Sequence, residues 1–429
     1  MRAYGSGGPN TMARLAIDDS PATSLPSRFL LSAPLWGMLA GVLLLIDGDA
    51  LLRVRWSLPT VALVHVFTLG VLGNLMIGSV LQFLPAAAGV RIGGNPRLGL
   101  WLHGLFNLGV LALVAGLHAS WRVGLTAAAV LLPLSFLLLG AMTLPGLLLA
   151  SGQRLLRAGL AVALGFAVLT ALLGGALALG LGGWLVLPLA ALVDVHASWG
   201  VLGWVVVLIA SVARVVLPMF LGTGTVPAMV QTTWLGSLSL LLLAGAWQRL
   251  AGGHGAWLVA TVVVYAALFA VTVLWLLRRV PRARCGSLRR SWRSGLVLLA
   301  LAALGLLQGP RGGLLAGVLG LAVALPLLVV GMALEIVAFL GWIELHRRCG
   351  RGVQLPGVQR LLPEAEKLRA LLALLPSALL LVAAVCWPVP WLARSAGAVT
   401  LLAWLGVWLT LRGVGRRAQH FLRTVEHCA

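Results

Sequence analysis

The chain is a succession of long apolar runs interrupted by short charged or Pro- and Gly-rich stretches, and this pattern leaves almost no choice of fold. The runs fall near 29–46, 59–86, 99–117, 123–150, 158–180, 185–221, 232–248, 255–277, 294–308, 313–343, 368–385 and 392–411. A bilayer core about 30 Å thick takes roughly 20 apolar residues per helix. Because lipid leaves no unpaired backbone group solvated, helices are the economical way to span it repeatedly. The expectation is an all-α, polytopic membrane protein of twelve spans. One junction is ambiguous: only Gln308-Gly309-Pro310-Arg311-Gly312 separates the ninth run from the tenth, and merging them would give eleven.

Composition points the same way. With 61% hydrophobic and 10% charged residues, the chain lacks the polar surface a water-soluble globule needs. The net charge of +21 would suggest nucleic acid in a soluble protein, but 30 of the 31 basic residues are Arg, and they sit in loops. With the N-terminus inside, the inward segments hold 24 of them and the outward loops 6, namely Arg53, Arg55, Arg122, Arg249, Arg311 and Arg394; Arg214 lies within the sixth run. Cytoplasmic loops are enriched in basic residues. The asymmetry therefore predicts twelve spans in a bacterial inner membrane with both termini cytoplasmic, the lipid bilayer as partner, and no nucleic acid. Residues 1–28 read as a polar cytoplasmic tail without a cleavable signal, 29–411 as one membrane domain and 412–429 as a second tail. The run from Arg278 to Arg293 and the segment from Arg347 to Arg369 read as ordinary cytoplasmic loops that can also touch anionic headgroups. Cys285, Cys349, Cys386 and Cys428 lack C-x-x-C spacing, so neither a disulfide framework nor a thiolate metal site is expected.

Every fourth run carries a shared pattern. The second has His65-Val66-Phe67-Thr68-Leu69-Gly70-Val71-Leu72-Gly73, then Gly78 and Gln82. The sixth has His196-Ala197-Ser198-Trp199-Gly200-Val201-Leu202-Gly203, then Ala210 and Arg214. The tenth keeps Gly331 and Glu335, and counting back to the histidine position lands on Gly317 or Val318. His65 precedes Gln82 by 17 residues and His196 precedes Arg214 by 18, so at about 1.5 Å per residue both imidazoles lie roughly 25 Å outward of those polar groups. The pattern reads as three pseudo-repeats of four helices.

A neutral imidazole inside a membrane is free to bind iron or copper. Gly70, Gly73, Gly200 and Gly203 let a helix or a flat ligand come close to the backbone, and Trp199 could stack on such a ligand or pack in the core. The competing reading is a small-residue packing seam with each histidine hydrogen-bonded across a helix interface. For Gln82, Arg214 and Glu335 the simple expectation is snorkelling to the inner headgroups; the functional variant has Arg214 and Glu335 paired or lining an inner cavity. Asp194 lies about 200° around the helix from His196 and is expected at the outer edge or paired with another helix.

Twelve helices in three groups of four, with outward-lying histidines on the second and sixth, resemble the catalytic subunit of haem-copper oxidases, in particular the cbb-type oxidase and nitric oxide reductase branch and the NnrS-like haem proteins. The stretch Val201 to Phe220, ending Val-Val-Leu-Pro-Met-Phe, is similar to the segment after the helix 6 ligand in that branch. The resemblance implies haem b with His65 as an axial ligand, copper at His196, and electron exchange with quinol or a cytochrome subunit, in an assembly that can be oligomeric. The departures are as informative. That family uses further histidines on helices 7 and 10, and neither run has one. Standard oxygen or nitric oxide reduction is therefore not expected, and the resemblance implies a degenerate member in electron transfer or a nitrogen-oxide or respiratory accessory role. His103, His118, Met76 and Met219 are the other candidates for a second axial ligand; a five-coordinate haem on His65, or a site bridging His65 and His196, stays open. The alternatives are a transporter, although twelve-helix transporters of the major-facilitator type repeat every six helices, and a copper-binding protein without haem.

Overall fold

The computed structural model describes residues 23–349 and 353–425. Among them, twelve helices are long and apolar enough to cross a membrane: α1 (Ser24–Leu52), α2 (Leu58–Ala88), α3 (Pro96–His118), α4 (Arg122–Leu149), α5 (Arg154–Leu181), α6 (Leu189–Leu221), α7 (Ala228–Leu250), α8 (Ala256–Leu277), α9 (Ser287–Gln308), α10 (Gly312–Arg348), α11 (Glu364–Cys386) and α12 (Pro390–Thr424). No β-strand occurs among the described residues. The protein is an all-α chain with the helices of a multi-pass membrane protein. The doubtful junction separates two spans, because Gly309 takes φ +69°, ψ −149°, a conformation that ends α9 and that a side chain would resist.

The ends differ from expectation. Helix α1 starts at Ser24, inside the segment read as a tail, while residues 1–22 lie outside the described residues. Helix α12 runs through most of the segment 412–429 as far as Thr424. Its last turns are amphipathic: Val414 and Ala418 are buried, while Arg417 donates to the Leu361 carbonyl and to Glu366. A solvated helix with one packed face needs no lipid to hold it. Cys349, at the end of α10, is disulfide-bonded, which corrects the expectation of no disulfide.

Packing follows small residues. Helices α1 and α12 meet where a methyl group on Gly41 would lie 2.6 Å from the Leu401 nitrogen, and one on Gly397 2.7 Å from the Gly41 carbonyl. Backbones this close gain dispersion contacts that larger residues would forbid, and such contacts hold helices together in lipid. Further neighbours in contact are α1 with α2, α3 with α4, α4 with α5, α5 with α6, α8 with α9, α9 with α10 and α11 with α12. The most interior spans are α2, α6 and α10, with 72%, 67% and 61% of their most apolar windows buried; no other exceeds 56%. The same three spans contain π-helical segments, Val66–Gly73, Trp199–Val206 and Val318–Ala324. A π turn takes up an extra residue and re-aims the side chains beyond it.

Candidate functional site

His65 ends the α-helical first part of α2, and His196 lies three residues before the π segment of α6. The two rings come together across the interior with centroids 6.2 Å apart and planes inclined by 30°. Each ring is half-buried. The His65 Nδ1–H donates to the Val61 carbonyl at 2.8 Å, and the His196 Nδ1–H donates to the Thr170 carbonyl of α5 at 3.1 Å. A carbonyl only accepts, so the proton of each neutral imidazole is fixed on Nδ1 and the lone pair sits on Nε2. Tying Nδ1 to a backbone carbonyl is the usual way a protein orients a metal-binding histidine.

The surroundings of His196 include a residue that the fourfold sequence pattern does not single out. A methyl group on Gly174 would lie 2.9 Å from His196 Cε1, so the imidazole rests on bare backbone of α5. The adjacent Gly174-Gly175 pair was the available signal, a weak one in a helix that also holds Gly159, Gly165 and Gly180. The Thr170 hydroxyl beside it is buried without a partner.

The four glycines expected at the site are placed differently from one another. Gly70 carries the Trp36 indole of α1 against its Cα, Gly73 the Phe106 ring of α3, and Gly203 the Phe166 ring of α5. At Gly200 a methyl would meet only Thr170 Cγ2, at 3.2 Å. Three of the four therefore seat aromatic side chains of neighbouring helices. Trp36 Nε1 donates to Asn107 at 2.8 Å, and Asn107 exchanges amide hydrogen bonds with Asn74 of α2 at 3.1 and 3.2 Å. Trp199 donates to the Leu242 carbonyl of α7 at 3.1 Å and meets Phe166 edge to face.

The remaining candidate ligands are engaged elsewhere. His103 pairs with Ser32 at 2.9 Å and abuts Phe29, and His118 pairs with Asp47 at 2.6 Å. Met76 is buried deeper along α2, and Met219 is exposed at the far end of α6. Asp194 pairs with Arg249 of α7 at 2.8 Å. No group of three or more His, Cys, Asp or Glu side chains that could hold a metal ion occurs among the described residues.

At the other end of the interior spans, the three pattern residues diverge. Glu335 is buried and pairs at 2.6 Å with Lys367, the single lysine of the chain, which has no exposed surface. Lys367, expected in a cytoplasmic loop, is thus buried on α11, and neither Gln82 nor Glu335 snorkels. Arg214 and Glu335 do not pair; Arg214 donates instead to the Val226 carbonyl and to Gln231, both at 2.7 Å. The Gln82 amide is buried, and neither its nitrogen nor its oxygen has a partner.

Two imidazoles bound through Nε2 at about 2 Å on opposite sides of one metal atom would have centroids about 6 Å apart, against about 5 Å at a tetrahedral angle. The observed 6.2 Å matches the first spacing. Compared with known proteins, the chain matches no family model and no curated sequence.

Proposed function

We propose that the protein binds haem b within the membrane through His65 and His196, and serves in electron transfer or as an accessory to respiration or nitrogen-oxide metabolism. The observation that carries this reading is the pair of half-buried imidazoles 6.2 Å apart, each with Nδ1 committed to a backbone carbonyl and Nε2 left as a donor. Ligated iron would supply one-electron chemistry, with quinol or a cytochrome subunit as the exchange partner. The protein's part is to fix the tautomers, to exclude water with α1, α3 and α5, and to hold both rings on interior spans. The same reading makes the chain three units of four helices, supported by π turns and deepest burial recurring at α2, α6 and α10. The Arg asymmetry supports the bacterial inner membrane with both termini in the cytoplasm.

A second reading, copper or another bare metal between the same imidazoles, is favoured by one observation. Trp36, Phe106 and Phe166 already fill three of the glycine notches a flat macrocycle would use. The deciding experiment is an absorption spectrum of the purified protein, oxidised and dithionite-reduced, with metal analysis and with His65→Ala and His196→Ala beside it. A Soret band with sharp reduced bands, lost in both variants, supports haem; stoichiometric copper without such bands supports the second reading. Colourless, metal-free protein that takes up neither ligand refutes both.

A further inference from the structure

The sixth span ends beside a cleft that the histidine site does not use. It lies between α6, α7 and α8, has a volume of about 70 Å³, and is lined by Arg214, Gln231 and Trp234 together with apolar residues such as Leu217, Phe269 and Val273. By the measure that a single water needs about 10–15 Å³, this is space for about five waters, enough for a compact anionic group. Three features bear on its occupant. Arg214 has no acidic partner among the described residues; Nη1 is spent on the Val226 carbonyl and Gln231, which leaves the charge itself uncompensated. The Trp234 indole nitrogen is buried and has no acceptor. The mouth is lined by Gly224 and Thr225, exposed in the α6–α7 connection, and by Val230 and Leu268, apolar side chains about half exposed on spans, at 51% and 49%.

A half-buried cation with unused N–H groups, a second donor without an acceptor and an apolar mouth at the end of three spans describe a receptor for an anion carrying a hydrocarbon chain. Basic pockets between transmembrane helices take phospholipid headgroups in this way. Helix α7, with 17% of its apolar window buried, is the most peripheral span and leaves the cleft open to its surroundings. We propose that this cleft is a binding site for one anionic phospholipid, its phosphate on Arg214 and Trp234 and an acyl chain against Val230 and Leu268.

The test uses the full-length protein, purified in mild detergent, delipidated and offered equal amounts of phosphatidylglycerol and phosphatidylcholine, with retained lipid read by native mass spectrometry. Wild type is expected to keep one phosphatidylglycerol preferentially. Arg214→Gln should lower that retention at least tenfold, while Arg214→Lys restores part of it. Because Arg214 also braces the α6–α7 connection, Val230→Trp serves as a second variant: it blocks the mouth from an exposed position, should also lower retention, and leaves the Arg214 contacts in place. Unchanged retention in a folded Arg214→Gln protein, or in Val230→Trp, overturns the proposal. So does dodecanoate displacing the retained phospholipid at equal concentration, which would assign the cleft to free fatty-acid carboxylates.

Discussion

Removing Lys367 while keeping Glu335 is the sharpest probe of the packing at the end of the interior spans remote from the two histidines. Lys367 Nζ lies 2.6 Å from Glu335 Oε2, the lysine is fully buried, and the glutamate side chain is 10% exposed. In that setting the charge of either partner is tolerated only because of the other, and breaking a buried pair by deleting one member costs about 3–5 kcal/mol, since the survivor stays buried and uncompensated. Lys367→Met should therefore shift the unfolding equilibrium by a factor of about 10² to 10³ or more. Replacing both, as Glu335→Leu with Lys367→Met, removes two desolvation penalties along with one attraction. Such swaps range from neutral to about 1–4 kcal/mol stabilising, so the double variant should recover most of the loss. The assay is reversible unfolding in mixed micelles with increasing dodecyl sulfate, followed by tryptophan fluorescence, for wild type, both single variants and the double. A Lys367→Met protein within about 1 kcal/mol of wild type would mean that the lysine reaches water, and would refute the buried pair.

Gly70→Val would place side-chain atoms against the Trp36 ring, 2.6 Å from Cγ even for the first carbon, and should cost about 1–3 kcal/mol in the same unfolding assay; loss of metal or colour at unchanged stability would instead make Gly70 part of a ligand seat. Gln82→Met replaces an amide with two unpartnered buried atoms by an apolar chain of similar length and should stabilise the protein by about 1–2 kcal/mol; destabilisation would mean that the amide has a partner. Cys285 and Cys386 are free thiols at opposite ends of their spans, between α8 and α9 and at the end of α11. If the basic loops face the cytoplasm, a membrane-impermeant maleimide should modify Cys386 in intact spheroplasts and Cys285 only after permeabilisation. The reverse order would invert the proposed topology.

The number of spans and the all-α class were legible in the chain because both are local consequences of bilayer thickness: each apolar run must satisfy its own backbone, whichever neighbours it meets. The recurrence of a motif at α2, α6 and α10 was legible as well, and those spans are the most interior. Which side chains meet was not legible, because contact between spans depends on helix rotation and crossing. Two π turns beyond the histidines alter that rotation without changing composition. Thus His65 and His196, 131 positions apart, converge to 6.2 Å. Lys367, counted as a loop charge by its place in the sequence, is drawn inward because Glu335 on the adjacent α10 offers the one partner that makes burial tolerable. Gly70, Gly73 and Gly203 advertise close approach, but only the tertiary structure shows that the approaching groups are Trp36, Phe106 and Phe166. A missing side chain specifies a vacancy, and the neighbouring helices decide what fills it.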